Sequence, residues 1–259
     1  MSLGIGKVEA YLLERIKNEG AIHITLIDPE KVNDTVIDRV VNAVKAGSAA
    51  IMIGGSTGVT ETVLDNVILN VKERVKEVPI ILFPGNITGI SRCADAIWFM
   101  SLLNSSNTYY IIEAQTQGAI IIKKYNIEAI PMGYIILGKG GLAGYIGHAK
   151  LIPYDYPELA AMYALAGSYL GMRFIYLEAG SGTDEPIPPK VVRTVRNVTK
   201  SRIIVGGGIR TAHQAVSIVE AGADIIVTGT LIEEDKGHEK IKEIINAIRS
   251  RSTKTNSYL

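Results

Sequence analysis

Eight short apolar runs, rich in isoleucine and valine, punctuate this chain, and the spaces between them are filled by longer stretches of helical spacing. The runs are "IHITLID" (22–28), "AAIMIG" (49–54), "IILF" (80–83), "AIWFM" (96–100), "IEAIPMGYIIL" (127–137), "FIYLEA" (174–179), "RIIVGG" (202–207) and "DIIVTG" (224–229). Near-continuous apolarity in segments this short fits strands covered on both faces, as parallel sheets require. Between them, "NDTVIDRVVNAVKAG" (33–47), "TETVLDNVILNVKERVKE" (60–77), "PPKVVRTVRNV" (188–198) and "TAHQAVSIVEAG" (211–222) place apolar residues at i, i+3 and i+4, with Gly47 and Gly222 as stop signals. Eight strand–helix units behind one leading helix predict a closed (β/α)8 TIM barrel.

At 259 residues the chain suits one such barrel, which commonly takes about 250 residues, so residues 1–259 are read as a single domain. Two places depart from the repeat. From Pro84 to Asp95 the connection between strands three and four has room for little more than one turn, which predicts a reduced third helix and a thinned outer ring. After strand five comes the glycine-rich stretch "LGKGGLAGYIGHAKLIPYDYP" (137–157), read as a long loop without secondary structure whose glycines supply flexibility. Pro131 is a misfit for a central strand and predicts a bulge there. The tail 250–259 reads as frayed.

A formal charge of +1 gives no global field for nucleic acid or anionic lipid, so any anion site must be local and the partners small molecules. The one cysteine, Cys93, supports neither an internal disulfide nor a thiolate metal site and fits a reducing cytoplasm. No run is long enough to span a membrane.

In a barrel the loops at the carboxyl ends of the strands build the site. Strands six, seven and eight end in "EAGSG" (178–182), "GGGIRT" (206–211) and "TGT" (228–230). Any one of these is accounted for by the need to turn; three on consecutive strands form a cup of peptide N–H groups suited to phosphate. Two acids stand at strand ends. Asp28 is either the cap of a turn that starts at Pro29 or a ligand of magnesium, which favours one or two carboxylates plus substrate phosphate. Glu178 is either half of an ion pair, with Arg173 or Lys190, or a general base toward a substrate hydroxyl. After strand two, "GGSTG" (54–58) offers Ser56 and Thr57 as caps or as donors to a second phosphate. His23, His148, His213 and His238 are dispersed without metal-ligand spacing and are read as structural, and Lys139 as a solvated loop residue. Trp98, Phe99 and Met100, beside the thinned ring, either pack the core or wall an apolar groove for a hydrocarbon.

"HITLIDPEK", "IMIGGSTG", "ILFPGN", "YLEAGSG", "IIVGGGIRT" and "IVTGT", in this order and spacing, resemble the geranylgeranylglyceryl phosphate synthases of archaea, within the wider PcrB-like prenyltransferases, over roughly residues 10–248. The resemblance implies magnesium-dependent transfer of a C20 group from geranylgeranyl diphosphate to the 3-hydroxyl of sn-glycerol 1-phosphate, the first ether bond of archaeal membrane lipids. It implies Mg2+ on Asp28 and Ser56. It implies glycerol phosphate held by Tyr176, Leu177, Glu178, Ala179, Gly180, Ser181 and Gly182, with Gly207, Gly208, Gly229 and Thr230, and Glu178 as the group that takes the hydroxyl proton. It further implies a homo-oligomer, dimer or hexamer, and peripheral membrane contact for the lipid product. Shorter members carry lysine two residues before the aspartate; Leu26 stands there in this chain, which places it with the longer subgroup. A DDxxD motif, the mark of helical prenyl-chain synthases, is absent from the sequence. The residues by themselves leave two other readings open: a phosphate-binding barrel isomerase or synthase acting on sugar phosphates, and a non-catalytic phosphometabolite sensor.

Overall fold

A computed structural model describes residues 4–55 and 59–255. The expected alternation folds as expected. The helix α1 (Lys7–Glu19) precedes β1 (Ile22–Ile27), and α2 (Asp34–Ala46), β2 (Ala50–Ile53), α3 (Glu61–Arg74), β3 (Ile80–Leu82) and β4 (Ala96–Leu102) follow. Then come α4 (Ala114–Tyr125), β5 (Glu128–Ile136), α5 (Gly141–Ile146), α6 (Pro157–Tyr169), β6 (Phe174–Glu178), α7 (Pro189–Val198), β7 (Arg202–Gly206), α8 (Ala212–Glu220), β8 (Ile225–Thr228), α9 (Thr230–Glu233) and α10 (Gly237–Thr255). The eight strands pair in parallel in chain order and β8 closes on β1, with Ile22 opposite Ile225. This is a TIM barrel.

Alternation along each strand divides the aliphatic side chains between two cores. Ile24, Met52, Trp98, Met132, Phe174, Tyr176 and Val227 fill the barrel, while Ile27, Ile53, Ile97, Ile135, Leu177 and Val205 pack outward under the helices. The base is sealed. Val8, Leu12 and Ile16 of α1 join the inner core, and the Glu128 carboxylate at the start of β5 accepts the N–H groups of Val8 (2.7 Å) and Glu9 (2.8 Å) at the first turn of α1. With that end plugged, the cavity lies toward the carboxyl ends of the strands.

The third helix is reduced as predicted: a single 3₁₀ turn, Ile87–Gly89, is all that stands between β3 and β4. Three expectations are corrected. The 137–157 stretch is not a structureless flexible loop. It holds α5, pairs Leu137 with Ile152 and Ala149 with Ser105, and is pinned by the fully buried Asn104, whose amide donates to Ile136 O (2.8 Å) and Lys150 O (3.0 Å) and accepts from Ile136 N–H. Its glycines serve tight turns and close contact: Gly140 and Gly141 lie against the Gly180–Ser181 backbone, where a Cβ on Gly180 would come 2.7 Å from Gly140 C. Nor does Pro131 make a bulge, because the β4–β5 register runs unbroken from Ala96↔Glu128 to Leu102↔Tyr134. Leu137 N–H donates to Glu178 O, so odd-numbered residues of β5 face β6; the β6 ladder begins only at Met132↔Phe174, and the N–H that Pro131 lacks has no partner there to lose. The third correction is at the end of the chain, where α10 continues to Thr255, well into the tail expected to fray.

Candidate active site

Inward and outward positions alternate along β6, and this decides what its residues can do. Tyr176 and Glu178 face the barrel; Leu177 and Ala179 pack into the outer core and lie away from the cavity at the mouth. Glu178 is 6% exposed at the top of the inner core. Its Oε1 accepts the Gly180 N–H (2.6 Å), and the rings of Tyr134 and Tyr176, edge to face at 5.3 Å, pack in the inner core below it. Burial raises its pKa to about 7, against the Gly180 N–H hydrogen bond and the neighbouring phenols, which favour the charged form. The ion pair considered for it does not form with Arg173, which binds Glu9 instead. Room for this arrangement comes from β7: a Cβ on Gly207 (φ +85) would lie 2.6 Å from Glu178 Oε1, and one on Gly206 would lie 2.0 Å from the Tyr176 hydroxyl.

The acid opens onto a cavity of about 220 Å³, against about 10 Å³ for the small pocket beside it. One rim is the glycine-rich one. Ser181, Gly182 and Thr183 follow β6, Gly207, Gly208 and Arg210 follow β7, and Gly229 and Thr230 follow β8. Gly180 sits just behind, spent on holding Glu178. The Arg210 and Thr211 N–H groups are taken by the Gln214 side chain, so Arg210 presents its guanidinium, which pairs with Glu234 (2.6 Å). The opposite rim carries Asp28, Lys31, Gly54 and Gly55. Asp28 does cap its turn: Oδ1 accepts the Glu30 N–H at 3.1 Å. Its Oδ2 is 3.9 Å from Lys31 Nζ, which itself lies 2.9 Å from both oxygens of Glu233. Gly55 packs against Asp28, and Ser56, the other expected magnesium ligand, lies outside the described residues.

From Glu178 the cavity continues as an apolar groove. Trp98, Met100 and Leu102 wall it inside the barrel; beyond them it passes over Ile90, Phe99, Gly118 and Ile122, through the gap where one 3₁₀ turn replaces a helix. Trp98 is both core and wall, fully buried, its ring 5.1 Å from Phe174 and its Nε1–H directed at Met52 Sδ (3.1 Å). His23 is a satisfied core residue between Ser48 (3.1 Å) and Thr228 (2.9 Å), its pKa lowered to about 3 by burial, and Lys139 is exposed. Among the described residues no cluster of three His, Cys, Asp or Glu side chains is arranged to hold a metal.

Sequence reasoning overlooked Tyr134, Lys31, Arg210, Glu233 and the Phe83 ring stacked on Tyr176 (5.4 Å). Tyr134 was within reach: the period of two along "IPMGYIIL" sets Met132, Tyr134 and Ile136 on the inner face.

The PcrB family model matches residues 14–248. The chain belongs to the PcrB family. The geranylgeranylglyceryl phosphate synthase of Thermofilum pendens (strain DSM 2475 / Hrk 5) is 52% identical over 246 residues, covering 94% of this chain and 96% of its own. That of Pyrococcus abyssi (strain GE5 / Orsay) is 50% identical over 246 residues, 95% and 97% of the two chains. The crystal structure of (S)-3-O-geranylgeranylglyceryl phosphate synthase from Thermoplasma acidophilum in complex with the substrate sn-glycerol-1-phosphate superposes with a TM-score of 0.89 at 38% identity, covering 95% of this PcrB-family chain and all of that one. This PcrB-family member is therefore an enzyme. Thiamine phosphate pyrophosphorylase from Pyrococcus furiosus, at 11% identity and a TM-score of 0.60, shares the fold alone.

Proposed function

We propose that this enzyme transfers a geranylgeranyl group from its diphosphate to the 3-hydroxyl of sn-glycerol 1-phosphate. The observation that carries the reading is one continuous cavity in which a buried acid with a pKa of about 7 stands between a glycine-rich rim and an apolar groove. A sugar-phosphate isomerase would use the rim and the acid but has no use for the groove.

In this reading the rim of β6, β7 and β8 binds the glycerol phosphate with peptide N–H groups, each charge-assisted hydrogen bond contributing about 1.5–3 kcal/mol. The groove holds the prenyl chain and excludes the water that would otherwise capture an allylic cation. Glu178, ionised over half the molecules near pH 7, accepts the proton of the alcohol as its oxygen attacks the allylic carbon. Asp28 fits magnesium by the chemistry of its donors: a hard carboxylate on the rim with Oδ1 committed to its turn and Oδ2 turned toward Lys31, for an ion that commonly takes one or two carboxylates and completes its shell with substrate phosphate. Bound there with Ser56, Mg2+ would neutralise the departing diphosphate. Lys31, paired with Glu233, and Arg210, paired with Glu234, stand at the two sides of the mouth.

Assembly is part of the same proposal. α6 is apolar on both sides: Ala160, Ala161 and Ala164 pack inward, while Leu159 (43% exposed), Met162 (66%) and Tyr169 (83%) face out, a surface suited to a second copy of the chain. No helix among the described residues is long and apolar enough to cross a membrane.

The test is incubation with labelled geranylgeranyl diphosphate, sn-glycerol 1-phosphate and Mg2+, scored for an organic-extractable phosphoether. Glu178→Gln is expected to lower kcat at least about a hundredfold with little change in glycerol phosphate binding. Absence of product from the wild-type enzyme overturns the reading.

A further inference from the structure

A phosphate on the glycine-rich rim takes its hydrogen bonds from the donors the fold leaves free, and the fold spends several of them on itself. The Gly180 N–H goes to Glu178 Oε1. At the start of α8 the Arg210 and Thr211 N–H groups both go to Gln214 Oε1 (2.9 and 3.1 Å), and the Gln214 N–H goes to Thr211 Oγ1 (3.2 Å). An anion reaches that helix end only by displacing the helix's own cap. What stays open there is a side chain. Arg210 is the one cation among the described residues of this rim, and it lines the cavity with Ser181, Gly182, Gly207, Gly208 and Thr230. It is fixed at both ends: Gln214 holds its peptide N–H, and its Nη1 donates to Glu234 Oε1 (2.6 Å). Glu234 has a second cation of its own, since its Oε2 accepts from Lys240 Nζ (2.9 Å).

A guanidinium carries five N–H donors in one plane. Among the described residues, that of Arg210 makes a single hydrogen bond, to Glu234; its Nη2 stands 4.0 Å from Asp184, whose side chain is 95% exposed and so pairs only weakly. Asp184 belongs to the turn after β6, and the turns after β6 and β7 touch at this point, where a Cβ on Gly208 would come 2.6 Å from Glu185 C. We propose that Arg210 binds the phosphate of sn-glycerol 1-phosphate and makes the rim selective for a doubly charged headgroup: its uncommitted N–H groups supply a planar fork and the positive charge that peptide groups lack, while Glu234 and Gln214 hold it in place. This rests on the reading of the rim as the glycerol phosphate site. Glu178 stands on the same rim, so a phosphate there without a counter-cation would face like charge once the acid ionises. Lys31 is across the mouth, committed to both oxygens of Glu233.

The test measures binding of sn-glycerol 1-phosphate and of inorganic phosphate by isothermal titration calorimetry, with KM for both substrates, in the wild type, Arg210→Met and Arg210→Lys, each checked by a thermal melt. Loss of the charged fork in Arg210→Met is expected to weaken both ligands about 10–100-fold. KM for glycerol phosphate should rise in step, while KM for geranylgeranyl diphosphate stays within about twofold, the loss falling on one substrate's binding. Arg210→Lys, which restores the charge without the planar fork, should recover only part of the affinity. Equal binding of sn-glycerol 1-phosphate by the wild type and a folded Arg210→Met overturns the proposal. So does a rise confined to KM for geranylgeranyl diphosphate, which moves the arginine to the other substrate. If the wild type binds inorganic phosphate through Arg210 but neither binds nor turns over sn-glycerol 1-phosphate, the phosphate site stands and the transferase reading fails, and the assignment to glycerol phosphate falls with it.

Discussion

Glu178 is held in a form that folding does not favour. Its folded pKa, about 7, lies above the unfolded value near 4.5, so the neutral acid is the form the fold prefers. The stability it lends is fully present below pH about 4.5 and is lost as the pH rises through about 7. Ionising it at pH 8 therefore costs on the order of 3 kcal/mol, and Glu178→Gln should unfold at a higher temperature than the wild type at pH 8 but not at pH 4, as read by thermal melts at the two pH values. That a substitution expected to abolish turnover should stabilise the protein marks the acid as a working group. Asp28 gives the opposite kind of test. Its cap to Glu30 N–H survives in Asp28→Asn, because asparagine caps as well as aspartate does. The variant should melt like the wild type while its magnesium titration moves to higher concentration; an unchanged titration reassigns Asp28 to capping.

At the scale of elements, the groove exists because β3 and β4 are joined by a single 3₁₀ turn. A full helix there would occupy the space between Ile90 and α4 that the groove crosses. Its width at that point is set by Gly118 of α4, where an added Cβ would stand 3.2 Å from Ile90 Cδ1 and 3.9 Å from Ile122 Cδ1. Gly118→Leu therefore fills the passage from the helix side without altering the rim or the acid. Turnover of a C20 donor is expected to fall at least about tenfold while a C10 donor is spared, checked by the ratio of kcat/KM for the two. Equal losses on both donors would show that the chain does not run past α4.

For the whole molecule, α1 seals one end of the barrel and leaves the other to chemistry, while α6 presents apolar side chains that neither core needs. Light scattering of the wild-type enzyme is expected to give a mass above that of one chain. Met162→Glu, a change at a position already 66% exposed, should reduce that mass without lowering the melting temperature of the folded chain itself. A monomeric wild type would remove the assembly proposal.

The barrel, the reduced third connection, the glycine-rich rim and the two strand-end acids were legible in the residues, because strand and helix periods and turn chemistry are local properties. Pro131 and the 137–157 stretch were misjudged for the complementary reason. Where a ladder begins, and whether a glycine bends the chain or lets two backbones touch, depends on a neighbour far away in sequence. Tyr134 lies 44 residues from Glu178 along the chain. Only the β5–β6 register sets it opposite Tyr176, beside the strand that carries that acid, and only closure of the sheet joins the rim after β8 to Asp28 after β1. The sequence on its own determined which elements form and which groups stand at their ends. Tertiary structure alone decided which of those groups meet, since meeting is set by register and closure, and no period along the chain encodes either.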